Sequence, residues 1–249
     1  MGEHPSRPQQ RHDPISWLGR HEFATLVVIV LIAAGVWGFA ELADEVMEGE
    51  TASFDERVLL AMRNPADPAD PRGPDWIEEV GRDLTALGGI VLLTFLTMAV
   101  AGYLWLDGKR RATLFVLAAI TGGMLLSLVL KESFDRPRPA LVPYGSKIMT
   151  TSFPSGHSMM SAVTYLTLGA LLARMHARPA MKAYVLILAL LLTIAVGVSR
   201  VYVGVHWPTD VLAGWTAGAT WALLCWLVAR WMQRRGQVEA ETPEGQRLP

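Results

Sequence analysis

The stretch SRVYVGVHWPTD, residues 199–210, joins two apolar runs, 183–199 and 211–229, that contain no Asp, Glu, Lys or Arg. Each run approaches the roughly 20 residues that an α-helix needs to cross about 30 Å of hydrocarbon. Backbone groups in lipid must be hydrogen-bonded internally, so each run is predicted to be a helix rather than a strand. The stretch therefore brings an arginine, a histidine and an aspartate to the ends of two membrane helices.

Four more runs without these charged residues precede this pair: 23–40, 84–106, 112–130 and 148–173. The chain is 51% hydrophobic and only 18% charged, which leaves too little polar surface for a soluble protein with six buried helices. We therefore predict an all-α fold, a bundle of six transmembrane helices over residues 21–235. Residues 1–20 and 236–249 are predicted to be disordered cytoplasmic tails. The single cysteine, Cys225, lies in an apolar run and excludes an intrachain disulfide.

Basic residues near the span ends predict the orientation, because cytoplasmic loops are enriched in Lys and Arg. They occupy the turns after the second and fourth spans and flank the first and last spans, so both termini should be cytoplasmic. The opposite side receives segment 41–83, which has 13 acidic residues against four arginines. We expect a multi-pass protein of the inner (cytoplasmic) membrane with a site facing the periplasm or exterior. The basic residues are Arg7, Arg11, Arg20, Lys109, Arg110, Arg111, Arg174, Arg178, Lys182, Arg230, Arg234 and Arg235.

Segment 41–83 contains a candidate helix and a candidate loop. Ser53 and Glu56 fit a capping box, and Phe54, Val58 and Met62 then share one face. This pattern predicts an amphipathic helix at the membrane interface. The following NPADPADPRGP, residues 64–74, is rich in Pro and Asp and is predicted to be an irregular loop.

Two further polar clusters lie at span ends on the same side as residues 199–210. In KESFDRPRP, residues 131–139, Lys131 ends the third span, and the prolines flanking Arg138 favour a loop. The ordinary alternative is that these side chains reach the membrane interface. Arg136 and Lys147 weaken it, because they add positive charge on the side that should be poor in it.

The second cluster is FPSGH, residues 153–157, which is typical of a helix start. The unpaired N–H groups there, with the helix dipole, favour an anion, and Gly156 allows a ligand close to the backbone. Ser155 adds a hydroxyl group, and His157 follows directly. Alternatively, Ser155 is only an N-cap and His157 is a solvated side chain.

Within residues 199–210, Arg200 ends the fifth span, and Pro208 suits the first position of the sixth helix. Asp210 would then lie close enough to bond one nitrogen of His206 and leave the other free, which suits a histidine nucleophile. Alternatively, Asp210 only complements the helix dipole. His157, His206 and Asp210 are possible zinc ligands, but three converging basic side chains would repel a cation, so we predict no metal.

The three clusters resemble the tripartite signature of the type 2 phosphatidic acid phosphatase family, which shares its core with vanadium-dependent haloperoxidases. The matching pattern is Lys131, six residues, Arg138-Pro139; then Pro154-Ser155-Gly156-His157; then Ser199-Arg200, five residues, His206, three residues, Asp210. The resemblance covers roughly residues 20–235 and includes every defining position of the signature.

The resemblance implies a role for most of these positions. His206 would be the nucleophile that forms a phosphohistidine, Asp210 its orienting partner, and His157 the general acid and then the base that activates water. The remaining residues would bind phosphate: Lys131, Arg138, Ser155, Gly156 and Arg200. Fixed cations suit phosphoryl transfer because that reaction asks mainly for positioning and charge stabilisation.

We therefore expect a metal-independent lipid phosphatase without a cofactor, whose partners are the membrane and a phosphorylated lipid and not a nucleic acid. Candidate substrates are undecaprenyl diphosphate, phosphatidic acid, phosphatidylglycerophosphate and the 1-phosphate of lipid A. A phosphotransferase using the same intermediate is the main alternative. A non-catalytic transporter is disfavoured because the charged groups lie at span ends, and a haloperoxidase because those proteins are typically soluble. The oligomeric state is not predicted.

Overall fold

The computed structural model describes residues 14–140 and 151–234. Within these ranges the helices are α1 (Pro14–Glu48), α2 (Ala52–Ala61), α3 (Asp75–Leu87), α4 (Ile90–Leu106), α5 (Arg110–Ser133), α6 (Gly156–Ser161), α7 (Thr167–Met175), α8 (Pro179–Tyr202) and α9 (Pro208–Arg234). A π-helical turn, Ala162–Leu166, links α6 to α7. The predicted N-terminal tail overlaps the start of α1. Its residues 1–13, the C-terminal tail 236–249 and Lys147 lie outside the described residues.

The fold is a helical bundle built from membrane-length segments. Among the described residues, four helices are long and apolar enough to cross a membrane: α1 (from Glu22), α5, α8 and α9. Helices α3 and α4 together make a fifth candidate, bent by 48° at the break between them. The region predicted as the fourth span is divided here into α6, the π-helical turn and α7.

The described residues are mostly helical, as the all-α prediction expects, but the prediction of an irregular loop at 64–74 was wrong. Strands β1 (Arg63–Asn64) and β2 (Asp67–Pro71) pair antiparallel, with Arg63 opposite Pro71 and Asn64 opposite Asp67. The turn forms because the Asn64 side-chain oxygen accepts from the amide of Ala66 at 3.1 Å. The prolines are tolerated because a two-stranded ribbon has only edges.

The capping box predicted at Ser53 and Glu56 was also wrong. Helix α2 begins at Ala52 with Thr51 at its N-cap, so Ser53 lies inside the helix. The buried face carries Asp55 and Leu59, whereas Phe54 is 43% exposed. A sequence pattern based on apolar residues misses this face, because one of its two buried members is a carboxylate.

Helix α9 lies close to α6, and two glycines permit this packing. A Cβ atom at Gly214 would stand 2.6 Å from the carbonyl oxygen of Ser155, and one at Gly218 would stand 2.5 Å from that of Met159. A larger residue would push the two backbones apart. The glycines therefore hold the start of α6 against the first turns of α9, where two of the three polar clusters lie.

Candidate active site

His206 lies in the short connection between α8 and α9 and is buried, with 1% of its surface exposed. Pro208 begins α9 as predicted, which puts Asp210 in the first turn and its Oδ2 3.3 Å from Nδ1 of His206. On the other side of the ring, Nη1 of Arg138 lies 3.1 Å from Nε2. An arginine can only donate, so Nε2 carries the lone pair and Nδ1 carries the proton.

The protonation state of His206 follows from its surroundings. Burial lowers its pKa to about 4, and the nearby Arg138 and Arg200 act in the same direction, while the hydrogen bond and charge of Asp210 raise it. The ring is therefore neutral near pH 7. A neutral imidazole with a lone pair on Nε2 has the form that a nitrogen nucleophile requires.

Asp210 is fully buried and accepts hydrogen bonds on both carboxylate oxygens. Oδ2 accepts from the hydroxyl of Ser152 and from the amide of Trp207 at 2.9 Å, in addition to the contact with His206. Oδ1 accepts from Nη1 of Arg136 at 2.6 Å. These donors fix the carboxylate and, through it, the orientation of the imidazole.

Lys131 and Arg138 approach the site from different elements, as predicted. Lys131 lies in the last turn of α5, and Arg138 lies in the segment after α5 that has no regular secondary structure. Both donate to the carbonyl oxygen of Thr151, Lys131 Nζ at 3.2 Å and Arg138 Nη2 at 3.4 Å. Arg138 is also held by the carbonyl oxygen of Val205 at 2.9 Å. Thr151 therefore ties the two cations together.

The predicted helix start at FPSGH is confirmed. Ser155 is the N-cap of α6, and its hydroxyl accepts from the amide of Ser158 at 3.5 Å and from the Ser158 hydroxyl at 2.9 Å. Its own amide donates to the carbonyl oxygen of Asp210 at 2.9 Å, which joins this helix start to the first turn of α9. A Cβ at Gly156 would lie 3.1 Å from Cε of Lys131, a tight contact that the glycine avoids.

Arg200 and His157 complete the set of predicted residues. Arg200 is in the last turn of α8, is 8% exposed, and acts electrostatically on His206. His157, at the start of α6, lines a cavity together with Lys131 and Gly156. The structure thus brings all eight predicted residues to one end of the bundle.

The cavity has a volume of about 360 Å³ and runs between α4 and α5 to the start of α6. Its lining is mainly apolar and includes Lys131, Gly156 and His157. The lining residues of α4 and α5 include Leu93, Thr97, Met98, Leu117, Ile120, Met124 and Leu128. The cavity therefore gives the site a mainly apolar approach from the side of the bundle.

The bend between α3 and α4 lies against His157. A Cβ at Gly88 would stand 3.3 Å from the carbonyl oxygen of His157 and 2.4 Å from Cγ1 of Val196. The hydroxyl of Tyr165 donates to the carbonyl oxygen of Leu87 at 2.7 Å and so binds one of the orphan carbonyls at the end of α3. The bend is thus held by the π-helical turn that follows the helix carrying His157.

Sequence reasoning did not assign four polar residues around Asp210: Asp55, Arg136, Ser152 and Thr209. Arg136 was noted only as extra positive charge, and Asp55 lies 155 positions before Asp210, outside the three polar clusters. The available signal was Arg136, the first arginine in DRPRP, because a second cation so close to Arg138 calls for an anionic partner of its own. Within the described ranges, no group of three or more His, Cys, Asp or Glu side chains is arranged as metal ligands would be.

The family model described as the PAP2 superfamily matches residues 112–234, which include all three polar clusters. A curated relative, phosphatidylglycerophosphatase B of Bacillus subtilis, is 35% identical over 144 residues, covering 57% of this chain and 70% of that protein. The chain belongs to the PAP2 superfamily.

Other members extend the comparison. A solved structure of a transmembrane PAP2-type phosphatidylglycerolphosphate phosphatase from Bacillus subtilis matches with a TM-score of 0.69 and 30% identity, covering 82% of this chain and 98% of that one. An undecaprenyl-diphosphatase of Sulfolobus acidocaldarius is 34% identical over 108 residues, covering 42% of this chain and 47% of that protein. These PAP2 relatives are named as phosphatases of different lipids.

Proposed function

We propose that this chain is an integral-membrane phosphatase that hydrolyses a phosphorylated lipid through a phosphohistidine at His206. The observation that carries the proposal is the geometry of His206, whose Nδ1 faces Asp210 and whose Nε2 faces Arg138. A lone pair beside an arginine is positioned to meet a phosphorus atom whose oxygens bind that arginine. Membership of the PAP2 superfamily and its lipid phosphatase relatives supports the same reaction.

In the first step, the lone pair on Nε2 of His206 forms a bond to phosphorus as the bond from phosphorus to the lipid oxygen breaks. His157 gives a proton to that oxygen, so the lipid leaves as an alcohol or, from a diphosphate, as a monophosphate. In the second step, His157 takes a proton from water, whose oxygen bonds to phosphorus as the P–N bond breaks. Inorganic phosphate leaves, and both histidines return to their starting states.

The cations supply the charge stabilisation that phosphoryl transfer requires. Lys131, Arg138 and Arg200 would hold the equatorial oxygens, with Ser155 and the amide of Gly156 as further donors. Arginine suits two of these positions because its planar fork can bind two phosphate oxygens at once. Since these charges belong to the protein, the proposed reaction needs no metal ion.

The lipid part of the substrate would occupy the cavity between α4 and α5. Its lining is mainly apolar but includes Lys131, Gly156 and His157, so an acyl or prenyl chain could lie there with its head group at the cations. The relatives act on phosphatidylglycerophosphate and on undecaprenyl diphosphate, by their names. We propose a lipid mono- or diphosphate of this class.

The proposed topology has six spans, with α3 and α4 as the second and the continuous path from α6 through the π-helical turn to α7 as the fourth. Both termini would be cytoplasmic and the site would face the periplasm or exterior, as the distribution of Lys and Arg indicates. Helix α2 would lie at the interface of that side, with Phe54 and Leu60 exposed toward lipid and Asp55 and Leu59 toward the protein.

The direct test is phosphate release in detergent by the purified protein and by His206→Ala. The substrates are phosphatidylglycerophosphate, phosphatidic acid and undecaprenyl diphosphate, and each reaction is run with and without a chelator. We expect the wild type to release phosphate from at least one lipid and the variant to lose that activity by about 10³-fold or more. Undiminished phosphate release by the variant would contradict the assignment of His206 as the nucleophile. Loss of wild-type activity on addition of the chelator would contradict metal independence.

A further inference from the structure

Asp55, on α2, is a buried carboxylate outside the three clusters, with 1% of its surface exposed. Its Oδ1 accepts from the amide of Thr209 at 2.9 Å. Its Oδ2 accepts from the Thr209 hydroxyl at 2.6 Å and from Nη2 of Arg136 at 2.6 Å. The Thr51 hydroxyl, at the N-cap of α2, also donates to Oδ2 at 3.3 Å. A carboxylate removed from water this completely needs such donors, and the three shortest of these hydrogen bonds come from Thr209 and Arg136, which lie next to Asp210 in sequence or in space.

Arg136 connects Asp55 to Asp210. While Nη2 binds Asp55, Nη1 binds Oδ1 of Asp210 at 2.6 Å and the hydroxyl of Thr209 at 2.8 Å. The guanidinium also lies over the ring of Trp207, 5.7 Å from its centroid. One planar cation thus bridges two buried carboxylates, and its fork fixes the separation between them.

The charges of this group matter for His206. Two carboxylates share one guanidinium, so a net negative charge remains beside an imidazole that becomes positive when its Nε2 bonds to phosphorus. Without Asp55, the positive charge of Arg136 would be paired with Asp210 alone. It would then offset more of the negative charge of Asp210 and weaken the attraction between Asp210 and that imidazole. Arg138 and Arg200 lie close to the ring and disfavour a positive charge on it, so the negative charge of this group is needed to offset them.

We propose that Asp55 is a positioning residue for the phosphatase reaction, acting through Arg136 and the first turn of α9 to keep Asp210 oriented and negatively charged toward His206. The proposal rests on the proposed function of His206. It extends the site beyond the three clusters to segment 41–83. The alternative is that Asp55 only fastens α2 to α9.

The test compares Asp55→Asn with Glu56→Gln, which makes the same chemical change at the exposed neighbouring position on α2. We expect Asp55→Asn to lower kcat by about tenfold while KM changes by less than about twofold, because the affected interaction strengthens only as the imidazole becomes charged. Glu56→Gln should match the wild type. Thermal unfolding of each variant, measured in the same detergent, reports the structural contribution separately.

A double-mutant cycle tests the path through Arg136. If Asp55 acts through the guanidinium, the kcat loss of the Asp55→Asn, Arg136→Gln double variant is smaller than the product of the two single losses. Losses that multiply would contradict an effect of Asp55 through Arg136. A wild-type kcat in Asp55→Asn, together with a lowered unfolding temperature, would show that Asp55 only stabilises the packing of α2 on α9.

Binding of orthovanadate provides a measurement without turnover, because its five-coordinate form mimics the transition state of phosphoryl transfer. We expect wild type and Glu56→Gln to bind it equally, Asp55→Asn to bind about tenfold more weakly, and His206→Ala weakest of all. If the four proteins bind vanadate in this order but the wild type cleaves no lipid phosphate, the proposed function fails. The role of Asp55 in positioning Asp210 toward His206 then still stands. Equal vanadate affinity in Asp55→Asn and wild type overturns the positioning role.

Discussion

Arg138 and His206 face each other across 3.1 Å, from Nη1 to Nε2. Since the arginine can only donate, this contact leaves the lone pair of the imidazole on the side where a phosphate would bind. A bound phosphate would take over the donors of Arg138 with its oxygens and present phosphorus to Nε2. The contact between Arg138 and His206 therefore sets the tautomer of His206 in the free protein, and in the complex the same two residues set the direction from which phosphorus approaches Nε2.

Replacing Arg138 tests this arrangement. Arg138→Gln should lower kcat/KM for the best lipid substrate by about 10²-fold or more, because a fixed cation is lost where charge develops on phosphorus. Arg138→Lys should recover only part of that loss, since an ammonium group cannot bind two oxygens as a fork. Steady-state rates in detergent measure both. The control is Arg57→Gln, an exposed arginine on α2 that should leave the rates unchanged.

A second prediction concerns the charge on His206. Its pKa of about 4 lies below the roughly 6.5 of a free histidine, so the ring should remain neutral as pH falls from 8 to 5 and gain its proton only near pH 4. The folded state then binds fewer protons than the unfolded chain below pH 6.5, and this group makes stability fall as pH drops toward 4. Asp210 raises the pKa, so Asp210→Asn should lower it further.

Nitrogen-15 NMR of histidine-labelled protein in detergent measures this titration directly. The His206 signal is assigned by its loss in His206→Gln, and its shifts also report which nitrogen carries the proton. A midpoint near pH 6.5, or a proton on Nε2 at pH 7, would contradict the geometry described for Arg138 and Asp210.

The helices that carry the clusters were predictable because their signals are local. Pro208 at the start of α9 and Ser155 at the start of α6 mark helix starts within a few residues. Pro208 then places Asp210 in the first turn of α9, close to His206 in the connection just before it. The apolar runs likewise indicate membrane-length helices, although the number of spans depends on how the bent and divided helices are counted.

Asp55 and Ser152 were not predictable by the same means. Their partners are Arg136 and Asp210, and nothing in a local pattern tells which distant donor a single carboxylate or hydroxyl will meet in the fold. The hairpin after α2 was missed for a related reason. Pro and Asp favour loops by composition, but the bond from Ala66 to Asn64 and the free edges of a two-stranded ribbon make a strand pair possible.

A third prediction tests the bend beside His157. Gly88→Ala places a methyl group 2.4 Å from Cγ1 of Val196 on α8 and 3.3 Å from the carbonyl oxygen of His157 on α6, so the α3–α4 bend must shift away from these two helices. We expect an overpacking cost of about 1–3 kcal/mol in unfolding free energy and a lower kcat. Gly102→Ala, in α4, meets no atom within 4 Å and should be neutral or slightly stabilising.

These two glycine variants are compared by thermal unfolding and by kcat in the same detergent. Equal behaviour of Gly88→Ala and Gly102→Ala would mean that the contact of the α3–α4 bend with His157 has no part in the site.

A fourth prediction concerns the lipid path. Met124→Trp adds bulk to the wall of the cavity between α4 and α5, so it should raise KM for a long-chain lipid phosphate by about tenfold. It should leave the hydrolysis of a small soluble phosphate ester unchanged, because that substrate needs only the cations and histidines. Leu106→Trp, at the far end of α4 and 88% exposed, is the control for added aromatic bulk. A parallel loss on both substrates in Met124→Trp would argue against this route.

The most direct test of the central claim is to look for phosphate on His206 during the first turnover. The purified protein is mixed with a lipid whose phosphate carries a radioactive label, quenched in alkaline detergent because the P–N bond is labile in acid, and mapped by peptide mass spectrometry. We predict a labelled peptide with the phosphoryl group on His206, formed no more slowly than phosphate is released and absent from His206→Ala. Full turnover with no phosphorylated histidine, or with the label on His157 instead, would contradict the account.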